Sequence, residues 1–381
     1  MASILIDALG ADSPGARLQL TGLLPALPAR AGGHRFRFAL RRSAAQALAP
    51  TEPGAVELWP IADRVSRGIV SRALLDWLYI PYHAARGRFD LVVTLANFGP
   101  LWTPTPHLVF QQNALHFSEE GLGRLRGLQR VEWRLRSWLS ALEMRWATLI
   151  VTPTDAMAGL IKAAYPSLAS RSFATLFHGA DLSRYGDAPP RSAARPFLFL
   201  CPTKIEGYKG IDVLLPAVRL LARERDDFAV QITTADRGWP SAVQRLIDEA
   251  RRQPWFGRVR FAGAQPPERM PEAYRAADGL VYPSFCESFG FPLLEAMACG
   301  LPIVAGELEV NRELCQAAAR YYAVGSAEAL AAALRDVLVN EGLRNELRAA
   351  CRARIRSRDW SWDDCARRFV ELCEQALSAR G

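Results

Sequence analysis

No cysteine occurs before Cys201, and all seven lie from there onward without a CxxC pair or a His/Cys cluster at zinc-ligand spacing. That pattern gives no reason to expect disulfides or a structural metal, and free thiols in a reducing cytoplasm are the expectation. No apolar run approaches the roughly 20 residues that a membrane-crossing helix needs. The first residues, MASILIDALGADSPG, carry no basic stretch ahead of the apolar run, so they read as a first strand and not as a signal peptide. Neither GxxxxGK[ST] nor GxGxxG is present, which argues against a Walker-type phosphate loop and a nicotinamide site. No DxD-type cluster has supporting context, and no recognised nucleic-acid-binding motif appears, so a bound metal and a nucleic-acid partner are not expected. Internal repeats and low-complexity tracts are missing too, beyond a general Ala/Arg bias.

The 381 residues exceed one ordinary core, and two domains is the natural expectation. The formal charge of +8 favours anionic partners such as phosphorylated small molecules or acidic lipids. Short, almost wholly apolar runs alternate with longer helix-like stretches. They are 3–9, 36–40, 90–95, 107–111 and 148–153 in the first half, then 196–201, 228–234, 258–263, 279–284 and 302–306 in the second. Strands that are apolar on both sides are expected to be parallel and covered by helices on both faces. The composition breaks at DAPPRSAARP, Asp187 to Pro196, which reads as an interdomain linker.

The densest motif is CESFGFPLLEAMACGLPIVA, Cys286 to Ala305, with Glu287 and Glu295 separated by seven residues. Gly290 permits a tight turn, Pro292 suits the first helical position, and Gly300 with Pro302 stops the helix. A helix start of this kind is a seat for phosphate. Glu287 falls in the loop at a strand's carboxyl end, where open α/β sheets bind ligands. Carboxylates at both places suit the hydroxyls of a sugar. The bland alternative is that Glu287 caps the helix and Glu295 is solvated. A second strand-to-helix loop, CPTKIEGYKG, carries Lys204 and Lys209 with Gly207 and Gly210, and two cations on a glycine loop suit a diphosphate. Its alternative is a surface loop with solvated lysines.

The 45 residues from Phe261 to Ala305 resemble the C-terminal domain of the family-four retaining glycosyltransferases, the glycosyl transferases group 1. CPTKIEGYKG resembles the family's Arg…Lys-Gly segment, with Lys209 at the lysine and Lys204 where the arginine usually stands. LIVTPTDAMAGLIK and LFHGADLSRY resemble the end of the N-terminal domain, and SWDDCARRFVELCEQAL the terminal helix that packs back on it. The resemblance covers the second half well and the first 140 residues poorly.

It implies an α/β chain of the GT-B fold, two Rossmann-like doubly wound domains facing across a cleft. Residues 1–187 would bind the acceptor, residues 188–362 the nucleotide sugar, and 363–381 would form the returning helix. Glu287 would contact the donor sugar, with Ser288 beside it and the backbone amides of Phe289 and Gly290. The amide of Leu294 would meet the phosphate and Glu295 the ribose. Lys204, Lys209 and the turn at Gly210 would hold the diphosphate. Attack would come from the front face, with the leaving phosphate taking the acceptor's proton and no cofactor or metal required.

Many members carry a His-Asp pair after the strand equivalent to residues 107–111. This chain reads QQNALHFSEE, with His116 a few residues late and Asn113 near the aspartate position. His116 is either part of the active site or an ordinary loop histidine. The loop LGADSPGARLQL, residues 9–20, places Gly15 either against the acceptor or donor phosphate or in a simple turn. Residues 123–149 are basic and tryptophan-rich, with Arg126, Arg130 and Arg134 in one stripe and Leu135, Leu139, Leu142 and Trp146 in another. They form either an interfacial helix on anionic lipid or a packed helix with a solvated basic face.

The resulting expectation is a cytoplasmic enzyme, peripheral on the inner face of the plasma membrane if the first reading holds. It would move a mannose-, glucose- or rhamnose-type sugar to a glycan or lipid-linked acceptor in bacterial surface polysaccharide synthesis. The rivals are a nucleotide-sugar epimerase or hydrolase of the same fold and a non-catalytic nucleotide-sugar-binding protein.

Overall fold

The computed structural model describes residues 1–11, 14–48, 54–63, 69–95, 97–187 and 195–379. The chain forms two compact units. The first comprises Met1–Ser118, Leu128–Asp181 and Trp360–Gly381; the second comprises Glu119–Gly127 and Leu182–Asp359. Of the expected linker, residues 188–194 lie outside the described residues.

The first unit is built on β1 (Ser3–Asp7), β2 (Arg35–Arg41), β3 (Val56–Ile61), β4 (Leu91–Thr94), β5 (His107–Phe110), β6 (Leu149–Thr152) and β7 (Phe173–Thr175). They lie in the order β3-β2-β1-β4-β5-β6-β7, and every pairing is parallel, with Ile4 flanked by Phe36 and Leu91. The second unit holds β8 (Phe197–Cys201), β9 (Phe228–Ile232), β10 (Val259–Phe261), β11 (Gly279–Tyr282), β12 (Ile303–Gly306) and β13 (Ala319–Tyr322), ordered β10-β9-β8-β11-β12-β13 and again all parallel. In both sheets the chain winds outward in one direction and then in the other. The reversal falls between β1 and β4 in the first sheet and between β8 and β11 in the second. Such switch points leave a crevice at the strands' carboxyl ends.

Five helices position the residues of interest: α1 (Pro14–Arg30), α2 (Gly127–Met144), α3 (Ile211–Leu221), α4 (Phe291–Ala298) and α5 (Trp362–Ser378). In the first unit, α1 lays Leu20, Leu23, Leu24 and Leu27 against one sheet face, and α5 adds Phe369, Val370 and Cys373 to the same core. Trp362 docks α5 tightly. A Cβ at Gly22 would lie 2.0 Å from its indole, and one at Gly179 would lie 2.7 Å from it. In the second unit, α3 buries Ile211, Leu214, Leu215 and Val218 against Phe197, Phe199, Val230 and Val281. All seven cysteines are buried, and none is in a disulfide.

Candidate functional site

The site is assembled from the loops after β8 and β11, adjacent strands at the second unit's switch point. After β11 the chain passes through the glutamate loop into α4. Gly290 sits immediately before the helix at φ +96°, a left-handed conformation that glycine takes without Cβ strain. The helix begins at Phe291, one residue ahead of the proline, so Pro292 falls inside its first turn. Leu293, Leu294, Ala296 and Met297 are buried, and Gly300 at φ +63° closes the helix. Phe289 is buried, with its ring 5.1 Å from that of Phe291, whereas Ser288 beside Glu287 is half-buried. The Leu294 amide donates to Gly290 O at 3.4 Å within the first turn.

The loop after β8 turns through a short 3-10 segment, Gly207–Lys209, into α3, with Gly210 at φ +74° as the joint. Here the glycine is required twice over, because a Cβ would also come within 2.0 Å of Pro283 O in the other loop. The Phe285 amide donates to Tyr208 O at 2.9 Å, so the two loops are in direct contact. Lys209 Nζ then reaches Glu287 Oε1 at 2.7 Å, with the two side chains only 14% and 12% exposed. Burial alone would push the Lys209 pKa down. The charge and hydrogen bond of Glu287, helped by Glu206, outweigh it and leave the pKa raised, so the side chain remains an ammonium. Lys204 is exposed overall, yet enough protein surrounds its ammonium that desolvation lowers its pKa, while Glu206 and Glu287 pull it back. The Tyr282 phenol, raised by burial and then by Glu287, hydrogen-bonds the same carboxylate.

Glu295, one turn into α4, is not a solvated helix residue. Its Oε2 accepts a hydrogen bond from Tyr274 at 2.6 Å, and Tyr185, whose ring is 5.7 Å from that of Tyr274, hydrogen-bonds it as well. Burial raises its pKa, and the two phenols draw it down in part. These tyrosines were not foreseen from the sequence, although Tyr274 lies within the family-like stretch and was open to notice. Arg124 was missed as well. It comes from the Glu119–Gly127 segment, stacks its guanidinium 3.5 Å over the Phe285 ring and pairs with Asp212 in the first turn of α3. Nothing in local spacing links it to residues so far along the chain.

The geometry is therefore two glycine-jointed turns in contact, a shielded ammonium–carboxylate pair between them and a second carboxylate held by phenols. Set against known proteins, residues 187–357 match the model of the family described as "Glycosyl transferases group 1". The O-antigen chain mannosyltransferase B of Escherichia coli is 32% identical over 167 residues, covering 44% of this chain and 42% of that protein. The chain thus spans less than half the length of this curated relative. Among solved structures, the sucrose-phosphate synthase of Thermosynechococcus elongatus aligns over 100% of both chains with a TM-score of 0.71 and 18% identity. Anabaena HepE in complex with UDP-glucose aligns over 98% of this chain and 100% of its own, with a TM-score of 0.70 and 18% identity. At such identities the likeness concerns the fold, which is GT-B.

Glu287, Glu295, Lys204, Lys209, Gly210, Ser288, Phe289, Gly290 and Leu294 all fall inside the glycosyl transferases group 1 segment. Asn113, His116 and Gly15 belong to the first unit. Asn113 caps the short turn Ala114–His116, its side chain accepting from the Leu115 amide at 3.1 Å. His116 is buried among the rings of Phe98, Trp133 and Phe117, with Nδ1 3.3 Å from Ser140 Oγ. Burial, with Arg136 adding to it, pushes its pKa down to about 3, so the imidazole is neutral at physiological pH. Gly15 falls in the first turn of α1, and Asp12 and Ser13 of its loop lie outside the described residues. Among the described residues no group of three or more His, Cys, Asp or Glu side chains is arranged to hold a metal ion.

Proposed function

We propose that the protein is a retaining, metal-independent hexosyltransferase that takes a mannose-, glucose- or rhamnose-type sugar from a nucleoside-diphosphate donor. The acceptor is a hydroxyl of a glycan or lipid-linked glycan in bacterial surface polysaccharide synthesis. The observation that carries this reading is the Lys209–Glu287 pair, held where two strand-end turns touch. The bond from the anomeric carbon to the diphosphate breaks and charge gathers on the departing oxygens. Lys209, Lys204 and the amide-lined start of α4 stabilise that charge. The acceptor oxygen bonds to the anomeric carbon on the face the diphosphate leaves, and its proton passes to a diphosphate oxygen. Glu287 orients the sugar by accepting from its hydroxyls, and Glu295 accepts from the ribose. Similarity to an O-antigen chain mannosyltransferase supports a surface-glycan role, and the fold shared with a UDP-glucose complex supports a nucleotide-sugar donor.

The test is to incubate the purified chain with UDP-, GDP-, dTDP- and ADP-hexoses, with and without simple glycoside acceptors, and to read the product's anomeric configuration by NMR. Transfer with retained configuration is expected. An inverted product would remove the front-face mechanism. Donor converted to an epimer without acceptor would make the protein an epimerase, and binding without turnover would make it a sensor or scaffold.

A further inference from the structure

Amphipathic helices on a domain surface normally bury their apolar side. In the first unit α2 does the reverse. Its sheltered side carries Ser137, Ser140, Ala141, Glu143 and Met144. Its outward side carries Leu128, Val131, Leu135 and Trp138, each more than half exposed and Leu128 88% exposed. These four recur at intervals of three and four residues, so they form one continuous ridge along the helix. Trp146, just past its end, is 68% exposed.

A second ridge runs beside it. The helical stretch formed by Ile69–Leu74, a π-turn at Leu75–Tyr79 and Ile80–Arg86 turns Leu75, Ile80 and Ala84 into the core. It leaves Leu74, Leu78 and Tyr82, spaced four apart, more than half exposed. This stretch connects β3 to β4, and α2 lies between β5 and β6. Both crossings run in the same direction along the sheet, so right-handed connections put both helices on one face. They are anchored to the same loop. Arg72 Nη2 donates to Phe98 O at 3.2 Å, and Ser140 Oγ donates to Asn97 O at 3.0 Å. Asp76 from the first helix also acts electrostatically on Glu143 of the second.

Two neighbouring helices with outward apolar ridges make a broad surface that water does not favour. The charges around α2 indicate what covers it. Arg130, Arg134 and Arg145 are exposed along one flank, and the single exposed acid of this stretch, Glu132, is already paired with Arg136 at 2.6 Å. Tryptophan beside arginine is the composition of a surface that lies in the headgroup layer of a membrane. Among the described residues no helix is long and apolar enough to cross a membrane. We infer that this face of the first unit docks in-plane on a bilayer containing anionic phospholipid, with both ridges in the interfacial layer and the arginine flank on the headgroups. This is a binding surface independent of the donor site, so its test does not depend on glycosyl transfer.

The experiment is flotation of the full chain with phosphatidylcholine vesicles, with and without phosphatidylglycerol, at low and high salt. The protein should float with anionic vesicles at low salt and remain behind with neutral ones. Leu135→Glu combined with Trp138→Glu should cut the bound fraction by about tenfold or more. Arg130→Ser with Arg145→Ser should lower it by roughly fivefold per arginine and remove most of the salt dependence. Thermal melting should be unchanged in both, because the altered side chains are exposed. If the first pair lowers the melting temperature, Leu78→Glu with Tyr82→Glu tests the same face from the other helix. No flotation on anionic vesicles by the folded wild type overturns the inference, as does flotation that these changes leave intact. Sedimentation velocity supplies the remaining arm: a dimer that the glutamate variants dissociate, without loss of flotation, would make the face a contact between copies of the chain.

Discussion

In the first unit, burial drives ionisable groups to their neutral forms: His107, His116 and His178 are pushed down to about 3, and Asp7, Asp76 and Glu143 are pushed upward. In the second unit Lys209 is enclosed as well, yet it stays charged because Glu287 lies at 2.7 Å. The contrast shows that depth alone does not decide protonation. Asp7 and Asp76 share one arginine and repel each other, so the cheaper state is to keep a proton. Lys209 and Glu287 match one to one, and a matched pair can hold charge in a sheltered place, which on the proposed function is where the diphosphate would need it.

The sharpest way to break this contrast is to remove one member of the pair. Lys209→Met and Glu287→Gln should each reduce turnover by about a hundredfold or more. Lys209→Met should also destabilise the second unit by about 3 kcal/mol, because it strands a sheltered carboxylate. The double variant should recover melting temperature relative to Lys209→Met and recover no turnover. Near-normal kinetics in a folded single variant would mean that the pair only braces the two loops.

The next effect concerns the joint that brings the loops together. Gly210→Ala places a methyl 2.0 Å from Pro283 O at a φ of +74°. The left-handed conformation alone costs about 1–2 kcal/mol, and the backbone carbonyl has little room to retreat. A drop in melting temperature with weaker donor binding is expected. Gly207→Ala is the control, since its Cβ would meet nothing nearer than 3.6 Å. Equal behaviour of the two variants would show that loop contact is dispensable.

The central strands of both sheets were legible because each is buried on both faces and so reads as a nearly unbroken apolar run. The three strands the sequence reading overlooked, β3, β7 and β13, are all sheet edges. Their burial is mixed, as in VELWPI with Glu57 and Pro60 exposed, so no such run exists to find. In the site, the glycine turns and the two glutamates were readable from local spacing. Tyr185, Tyr274 and Arg124 were not, because they reach the site from other segments through the sheet's topology. The ridge on α2 was partly readable. The sequence stripe Leu135, Leu139, Leu142 and Trp146 shares Leu135 with the observed ridge, and the buried set that fixes the helix's rotation, centred on Ser137, Ser140 and Met144, is too polar to stand out in a pattern.

Glu295 tests a middle case, a sheltered carboxylate supported by phenols in place of a cation. Glu295→Gln keeps the shape and loses an acceptor for Tyr274 and Tyr185 and, on the proposed function, for the donor's ribose. Donor affinity should fall by about tenfold, the scale of one hydrogen bond to a charged group, with kcat nearly unchanged. Unchanged affinity by calorimetry would take the ribose contact away from this residue. A fall in kcat with affinity intact would move Glu295 toward the chemistry.

The smallest effect belongs to the neutral histidines. An unfolded chain protonates histidine near pH 6.5, while His116 in the folded unit does so only near 3. Above pH 6.5 neither state binds the proton and the residue has no pH-linked effect. As pH falls below 6.5 the unfolded chain gains protons that the folded one refuses, so stability declines until the folded pKa is reached. The buried carboxyls work in the opposite sense. Their folded pKa values are raised, so on acidification they take up protons in the folded unit first and stabilise it until their ordinary range near 4. His116→Phe retains an aromatic ring beside Phe98 and Trp133 and removes one titrating group. Between pH 6.5 and 5.5 it should lessen the acid loss of stability by roughly 1 kcal/mol, read from denaturant melts at the two pH values. An unchanged slope would mean that the imidazole is already protonated when folded. A hundredfold loss of turnover at neutral pH in the same well-folded variant would instead give this ring a part in the chemistry.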